Sequence, residues 1–173
     1  MLNPIKQNAT VCDIGTGAGF PGVVLKIVRP DIKLVLVDSL NKRVEFLKQL
    51  LDKLNINDAD VLHYRAEDVE FKNKYLNTFD IVVARAVARL NTLCEYCVPF
   101  VKVGGYFVSY KSSDIEEELN EVKSPVKKLG AVFQKTEKQN LDENTERTFV
   151  LFKKVTECNQ KYPRVQNKPK LKP

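Results

Sequence analysis

The sequence predicts a doubly wound α/β fold: a mostly parallel seven-stranded sheet with an antiparallel edge strand and helices on both faces. Three observations predict it. Apolar runs of strand length alternate with amphipathic helical runs from residue 10 onward. The first apolar run empties directly into closely spaced glycines, as a strand–turn–helix unit requires. The last two apolar runs are joined by a polar stretch at residues 137–147 and read as an antiparallel pair closing the edge.

The first strand covers residues 10–14, and a helix follows over 21–28. Pro21 suits the first helical turn, where its missing N–H would be unpaired anyway. Arg29-Pro30 stops that helix. The second strand, residues 33–37, is nearly all aliphatic, as a strand covered on both faces should be. A helix spans residues 41–54, with Val44, Leu47, Leu51 and Leu54 forming one apolar stripe at three- and four-residue steps. Strands at 60–64 and 79–84 come next, then a helix near 90–101. Gly104-Gly105 opens a fifth strand at 106–110, and 115–122 reads as an acidic-faced helix. Residues 126–134 and 148–153 are the last two strands.

The chain of 173 residues fits one domain with enough length to bury a core. Residues 1–155 form it, and 156–173 read as a basic, flexible tail with too little apolar content to fold alone. No apolar stretch approaches the length of a membrane span. Residues 1–10 carry Asn, Pro, Lys and Gln where an export signal needs an apolar block, so a cytoplasmic location is expected. Cys12, Cys94, Cys97 and Cys158 contain only one close pair, which falls inside a helical pattern, so ordinary reduced thiols are expected and no metal site. Net charge is +6, and from Lys153 onward seven basic residues face one acidic residue, so the whole excess lies at the carboxyl end.

The informative segment is Val-Cys-Asp-Ile-Gly-Thr-Gly-Ala-Gly-Phe-Pro-Gly at residues 11–22. Glycines between a strand and a helix let the backbone approach a ligand and aim free N–H groups at it. A dinucleotide fingerprint needs G-x-G-x-x-G, but here Phe20 stands where the third glycine belongs. Asp13, two residues before the turn, suits a cation better than a phosphate. S-adenosylmethionine carries a sulfonium and an ammonium, so it is expected at Asp13, Gly15 and Gly17 in preference to a nicotinamide cofactor. Asp38 closes the second strand, where an acidic group can accept the ribose hydroxyls of either nucleoside. His63, the only histidine, reads as a strand residue without a chemical role.

The run from Asp13 to Gly22, followed by Asp-Ser-Leu-Asn-Lys-Arg-Val-Glu-Phe-Leu at 38–47, resembles the glucose-inhibited division protein B family. Arg-Ala-Glu-Asp at 65–68, Ala-Arg-Ala-Val-Ala at 84–88, Gly-Gly-Tyr-Phe at 104–107, Lys111 and the Tyr-Pro-Arg at 162–164 continue the resemblance. It implies a Rossmann-like class I methyltransferase fold and methylation of N7 of a guanine in small-subunit ribosomal RNA. It further implies cofactor contacts at Gly15, Phe20, Ala66, Glu67 and Arg85, with Asp38 on the ribose. The family carries a helical segment ahead of the first strand, whereas about ten residues stand there in this chain, which is expected to be a fragment or a shortened member.

A guanine N7 already presents a lone pair, so no general base is expected; Arg85 and Lys111 would position the reactants. Arg85, Arg89, Lys111, Lys161 and Arg164 are the candidate RNA contacts. Five tail charges engaged on phosphates would give a log–log salt slope of roughly −3 to −4. The partner is then small-subunit ribosomal RNA or the small ribosomal subunit, with no membrane, no metal and a monomeric enzyme. A methyltransferase for another substrate shares every cofactor residue, and a non-catalytic RNA-binding relative would share the fold. Both readings stay open on the sequence alone.

Overall fold

Alternating strands and helices run the length of the computed structural model, which describes residues 5–85, 88–111, 115–142, 145–165 and 171. The strands are β1 (Thr10–Ile14), β2 (Lys33–Asp38), β3 (Ala59–His63), β4 (Phe79–Arg85), β5 (Val101–Lys111), β6 (Ala131–Asp142) and β7 (Thr145–Lys154). Between them lie α1 (Gly22–Val28), α2 (Asn41–Lys53), α3 (Val69–Tyr75), α4 (Leu90–Cys97) and α5 (Glu116–Val122). They form one seven-stranded sheet in the order β3-β2-β1-β4-β5-β7-β6. β1 to β5 pair in parallel, and β7 is antiparallel to both its neighbours at the far edge.

Strand alternation divides the core into two layers. Cys12, Ile14, Val82 and Ala84 face one side, under Phe71 of α3, Leu90, Leu93 and Cys94 of α4, and Leu119 and Val122 of α5. Val11, Leu34, Leu36, Ile81 and Val83 face the other, against Val23 and Leu25 of α1 and Leu47 and Leu51 of α2. In α2 the expected stripe is buried at Val44, Leu47 and Leu51, but Leu54 lies past the helix end and is 43% exposed. All four cysteines are free and buried. Among the described residues no helix is long and apolar enough to cross a membrane, and no group of three or more His, Cys, Asp or Glu could hold a metal ion.

Five elements differ from expectation, each for a local reason. The helix expected over 90–101 stops at Cys97, where Pro99 sits in a 3-10 turn over Val98–Phe100. β5 starts at Val101 and not at 106, so Gly104-Gly105 lie inside the strand, between its pairings with β4 at Val101 and Tyr106, and do not open it. α3 leaves no visible stripe in the sequence because its seven residues carry only two core anchors, fully buried Phe71 and Tyr75, whose ring lies tilted with its centroid 4.9 Å away. Residues 126–134 do not form one strand. They begin as a 3-10 turn, Pro125–Leu129, which ends at Gly130 with φ +74°, and the strand starts only at Ala131. The polar 137–147 stretch is hairpin and not connection, because β6 and β7 stay paired out to Asp142 and Thr145. Backbone ladder bonds hold that outer arm while Lys138, Gln139 and Asn140 point to water, so hydropathy could not reveal it.

The segment after β7 packs against α4. Cys158, Tyr162 and Leu171 join the same apolar layer as Leu93 and Cys97. Arg164 donates from its backbone N (3.0 Å), Nε (2.8 Å) and Nη2 (2.7 Å) to the carboxylate of Glu95, which is fully buried. Lys154 is also buried, its Nζ donating to Val98 O at 2.9 Å. Residues 166–170, 172 and 173, with Lys168, Lys170 and Lys172 among them, lie outside the described residues.

Removing one partner of a buried pair strands the other charge. Arg164→Ala is therefore expected to lower stability to urea by about 3 kcal/mol, the lower end for such a pair since the guanidinium is partly wet. Adding Glu95→Gln should recover part of that loss, because the stranded group is then neutral.

Candidate active site

The strand order reverses between β1 and β4, which opens a crevice at the carboxyl ends of the parallel strands. Asp13, Gly15, Gly17 and Phe20 lie at the end of β1, Asp38 at the end of β2, Ala66 and Glu67 just beyond β3, Arg85 at the end of β4, and Lys111 at the end of β5. Ten of the predicted residues, Arg89 included, thus share one edge of the sheet. Lys161 and Arg164 do not. They sit on the α4 side, where Lys161 and Arg164 lie 5.2 and 5.7 Å from the Tyr162 ring centroid. Ala86 and Val87 of the Ala-Arg-Ala-Val-Ala run lie outside the described residues.

Asp13 is the centre of the glycine turn. Its carboxylate is fully buried, and Oδ2 accepts from Thr16 Oγ1 (2.7 Å) and from the Gly22 backbone N (2.8 Å) at the start of α1. Oδ1 is buried with no hydrogen-bond partner among the described residues. Burial raises the Asp13 pKa to about 6, against the pull of Thr16, Gly22 and the Arg85 charge; Asp38 adds to the rise. Gly22 must be glycine here: a Cβ would stand 2.5 Å from Leu36 Cδ2 and 2.9 Å from Asp13 Oδ2. Gly17 is the opposite case. It holds φ +64°, and a Cβ built on it meets nothing within 4 Å, so the turn faces open space there.

Gly15 N and Thr16 N both donate to Val37 O, at 2.8 and 3.1 Å, which ties the turn to β2. Asp38, only 2% exposed, completes the tie. Its Oδ2 accepts from Gly17 N (2.9 Å) and more distantly from Arg43 Nη1 (3.4 Å), and its Oδ1 accepts from Leu40 N (3.0 Å). The carboxylate that sequence assigns to a ribose is thus also a structural acceptor, with lone-pair capacity left on Oδ1. Neither this role nor the parts played by Thr16, Leu40 and Arg43 could be read from spacing.

Across the crevice mouth, the Arg85 guanidinium lies over the Phe20 ring, 5.3 Å from its centroid, with both residues exposed. Beyond β3, the half-buried Glu67 and the Arg65 charge lie close enough to Tyr96 of α4 to act on its phenol. On the β5 side the basic residues are already paired. Lys111 Nζ donates to Ala88 O (2.9 Å) and to Glu118 Oε2 (2.7 Å), and Arg89 Nη2 reaches Glu121 (3.0 Å) and Glu117 (3.6 Å). The acidic helix was legible in sequence; its role as their partner was not.

A family model described as rRNA small subunit methyltransferase G matches residues 1–149. The ribosomal RNA small subunit methyltransferase G of Lactobacillus helveticus is 49% identical over 169 residues, 97% of this chain and 70% of that protein. Among solved structures, an rRNA methylase from Streptococcus thermophilus aligns with TM-score 0.64 at 15% identity, covering 89% of this chain and 91% of that one. M. jannaschii TYW2, solved in complex with AdoMet, aligns with TM-score 0.69 at 15% identity over 87% of this chain and 71% of its own. These two likenesses bear on the fold alone.

The raised Asp13 pKa has a definite sign. Between about pH 4 and pH 6 the folded protein binds this proton more tightly than the unfolded chain, so the contribution to stability falls as pH rises through that window. Compared with Asp13→Asn, the native protein should lose up to roughly 3 kcal/mol between pH 4 and pH 7, read by urea unfolding at each pH. A constant difference between the two proteins across that range would show that the carboxylate is not desolvated.

Proposed function

The chain belongs to the rRNA small subunit methyltransferase G family, and on that premise we propose that it transfers the methyl group of S-adenosylmethionine to N7 of a guanine in small-subunit ribosomal RNA. The observation that carries the cofactor assignment is the orphaned Oδ1 of Asp13. A buried carboxylate with one oxygen unpaired is a standing demand for positive charge. A pyrophosphate would aggravate that demand, whereas an ammonium or sulfonium relieves it. The open space beside Gly17 and the acceptor capacity left on Asp38 fit the same ligand.

Bound S-adenosylmethionine supplies an electrophilic methyl group on a positively charged sulfur. The chain supplies the rest. Asp13 holds the positively charged amino-acid end beside the Gly15–Gly19 turn, whose N–H groups at Gly15, Thr16, Gly17 and Gly19 are bonded within the protein and shape the turn; Asp38 accepts from the ribose, and Ala66 and Glu67 bound the adenine. The Phe20 ring, held under Arg85, gives an apolar wall beside the cofactor. Guanine N7 carries its own lone pair, so no side chain has to remove a proton. Holding N7 in line with the methyl is the whole task, and orientation of that kind is worth roughly 7–11 kcal/mol. Arg85, exposed at the mouth, meets the base or a phosphate through its planar guanidinium. Lys161, on the α4 side, and the basic residues beyond it provide phosphate contacts. The enzyme acts as a cytoplasmic monomer on the RNA, free or within the small subunit, and needs no metal.

Titration calorimetry should show saturable S-adenosylmethionine binding and no saturable NAD binding. Asp38→Asn, which keeps one acceptor oxygen, should weaken the cofactor at least tenfold. Affinity of the native protein should fall as pH drops below about 6, where Asp13 takes up its proton, and Asp13→Asn should abolish that dependence. With labelled cofactor, methyl should enter small-subunit RNA; label in protein, or NAD bound in its place, would overturn the reading.

A further inference from the structure

Strand order sets the direction in which the site must be used, given the function proposed above. With the ribose at Asp38 on β2 and the adenine by Glu67 beyond β3, the reactive end runs toward β1 and β4. The acceptor base therefore lies over the ends of β4 and β5, beside the short segment that leads from Arg85 into α4.

Residues 88–90, where that segment enters α4, are held by one compact ion pair. Lys111, at the last position of β5, has only 12% of its side chain exposed and Glu118 of α5 only 23%. Lys111 Nζ donates at 2.9 Å to the carbonyl of Ala88 and at 2.7 Å to Glu118 Oε2. The same Oε2 accepts the backbone N–H of Leu90 at 2.7 Å, the first residue of α4. One carboxylate oxygen thus joins the end of a central strand, the acceptor-side segment and a helix start that no side chain of its own caps. Glu118 stays ionised below the ordinary carboxylate range: burial opposes this, but the Lys111 ammonium and the Leu90 N–H outweigh it.

We propose that Lys111 and Glu118 are positioning residues, a pin that sets residues 88–90 against the acceptor base, and that Lys111 acts through Ala88 and not on RNA phosphate. Lys111 Nζ donates to two acceptors inside the protein, and one of them, the Glu118 carboxylate, sets a counter-charge 2.7 Å away. A phosphate contact would require breaking that pair. Arg89, exposed beside it, pairs with Glu117 and Glu121, and its charge also helps hold Glu118 ionised, but the bonds to Ala88 O and Leu90 N are made by Lys111 and Glu118.

The test compares Lys111→Met, Glu118→Ala, Glu118→Gln and the Lys111→Met/Glu118→Ala pair with the native chain. Hydrogen exchange read on the free protein should show the Leu90 amide exchanging at least tenfold faster in Lys111→Met and Glu118→Ala, with Val82 in the sheet unchanged. S-adenosylmethionine affinity should stay within about twofold. With small subunits as substrate, kcat should fall tenfold or more in Lys111→Met and in Glu118→Ala, and the pair should be no worse than either, as expected of one unit. Glu118→Gln, whose amide oxygen still accepts from Leu90 N and Lys111, should restore at least half of the rate lost in Glu118→Ala. The slope of RNA affinity against salt should be unchanged in Lys111→Met. A slope smaller by roughly 0.7–0.9, the signature of one lost phosphate contact, would overturn the proposal. So would native exchange at Leu90, an undiminished kcat, or loss of protection spread to Val82. Should the native chain methylate no RNA at all, the functional reading falls, and exchange at Leu90 still decides whether the pin exists.

Discussion

A carboxylate buried without a full set of partners governs this molecule. Removing Asp13 from water is costly, and the chain compensates only one of its oxygens, through Thr16 and the first N–H of α1. Those two bonds fix how β1 turns into α1. They also explain why Gly22 cannot carry a side chain, since the helix start is drawn down onto the carboxylate. The glycine turn is then held from the far side by Asp38 and Val37 O, so β1 and β2 are locked together where the ligand must enter. The uncompensated oxygen stays as stored electrostatic demand inside the protein. On the proposed reading, stability and recognition are opposed at this residue, and a cationic ligand would reconcile them.

Elsewhere the chain spends charge on itself. The sequence concentrates its basic excess at the carboxyl end, which invites a simple picture of a sticky tail. Two of those seven groups are consumed in folding. Lys154 is buried against Val98 O, with burial pulling its pKa down to about 8, and Arg164 is bound by Glu95. On the crevice rim Arg89 and Lys111 are answered by glutamates of α5. Counting basic residues therefore overstates the surface left for nucleic acid. What the pairs provide is geometry: one anchors the terminal segment on α4, and the other joins β5 to the start of α4.

The parts of the fold legible in sequence were those written in a period. β2 was read because it is aliphatic on both faces, and α2 because Val44, Leu47 and Leu51 repeat at helical spacing. The parts that escaped lack such a period. α3 rests on Phe71 and Tyr75 alone, and the hairpin arm past Glu137 is stabilised by backbone bonds that leave no hydropathy signal. The site divides the same way. Residue types with one plausible use, such as Asp13 before glycines or Asp38 at a strand end, declare themselves. Long-range partners do not: Glu118 lies seven residues from Lys111 but 28 from Leu90, and Glu95 lies 69 from Arg164. Only folding brings them together.

These observations give the chemistry its division of labour. The N7 alkylation proposed above asks for no proton transfer, so it needs no group at the crevice with a pKa tuned to neutrality for acid–base work. Asp13, whose pKa is raised to about 6, is explained by burial at the glycine turn. Catalytic power must then come from rigidity: a turn whose glycines are tied to β2, an aromatic ring held under a guanidinium, and a helix start fixed by a carboxylate from a neighbouring helix. In such an enzyme the residues that matter most to rate need not touch the substrate. They are the ones whose loss lets the two reacting atoms drift apart, and on the proposed reading the partly buried Lys111–Glu118 pair is where that constraint lies.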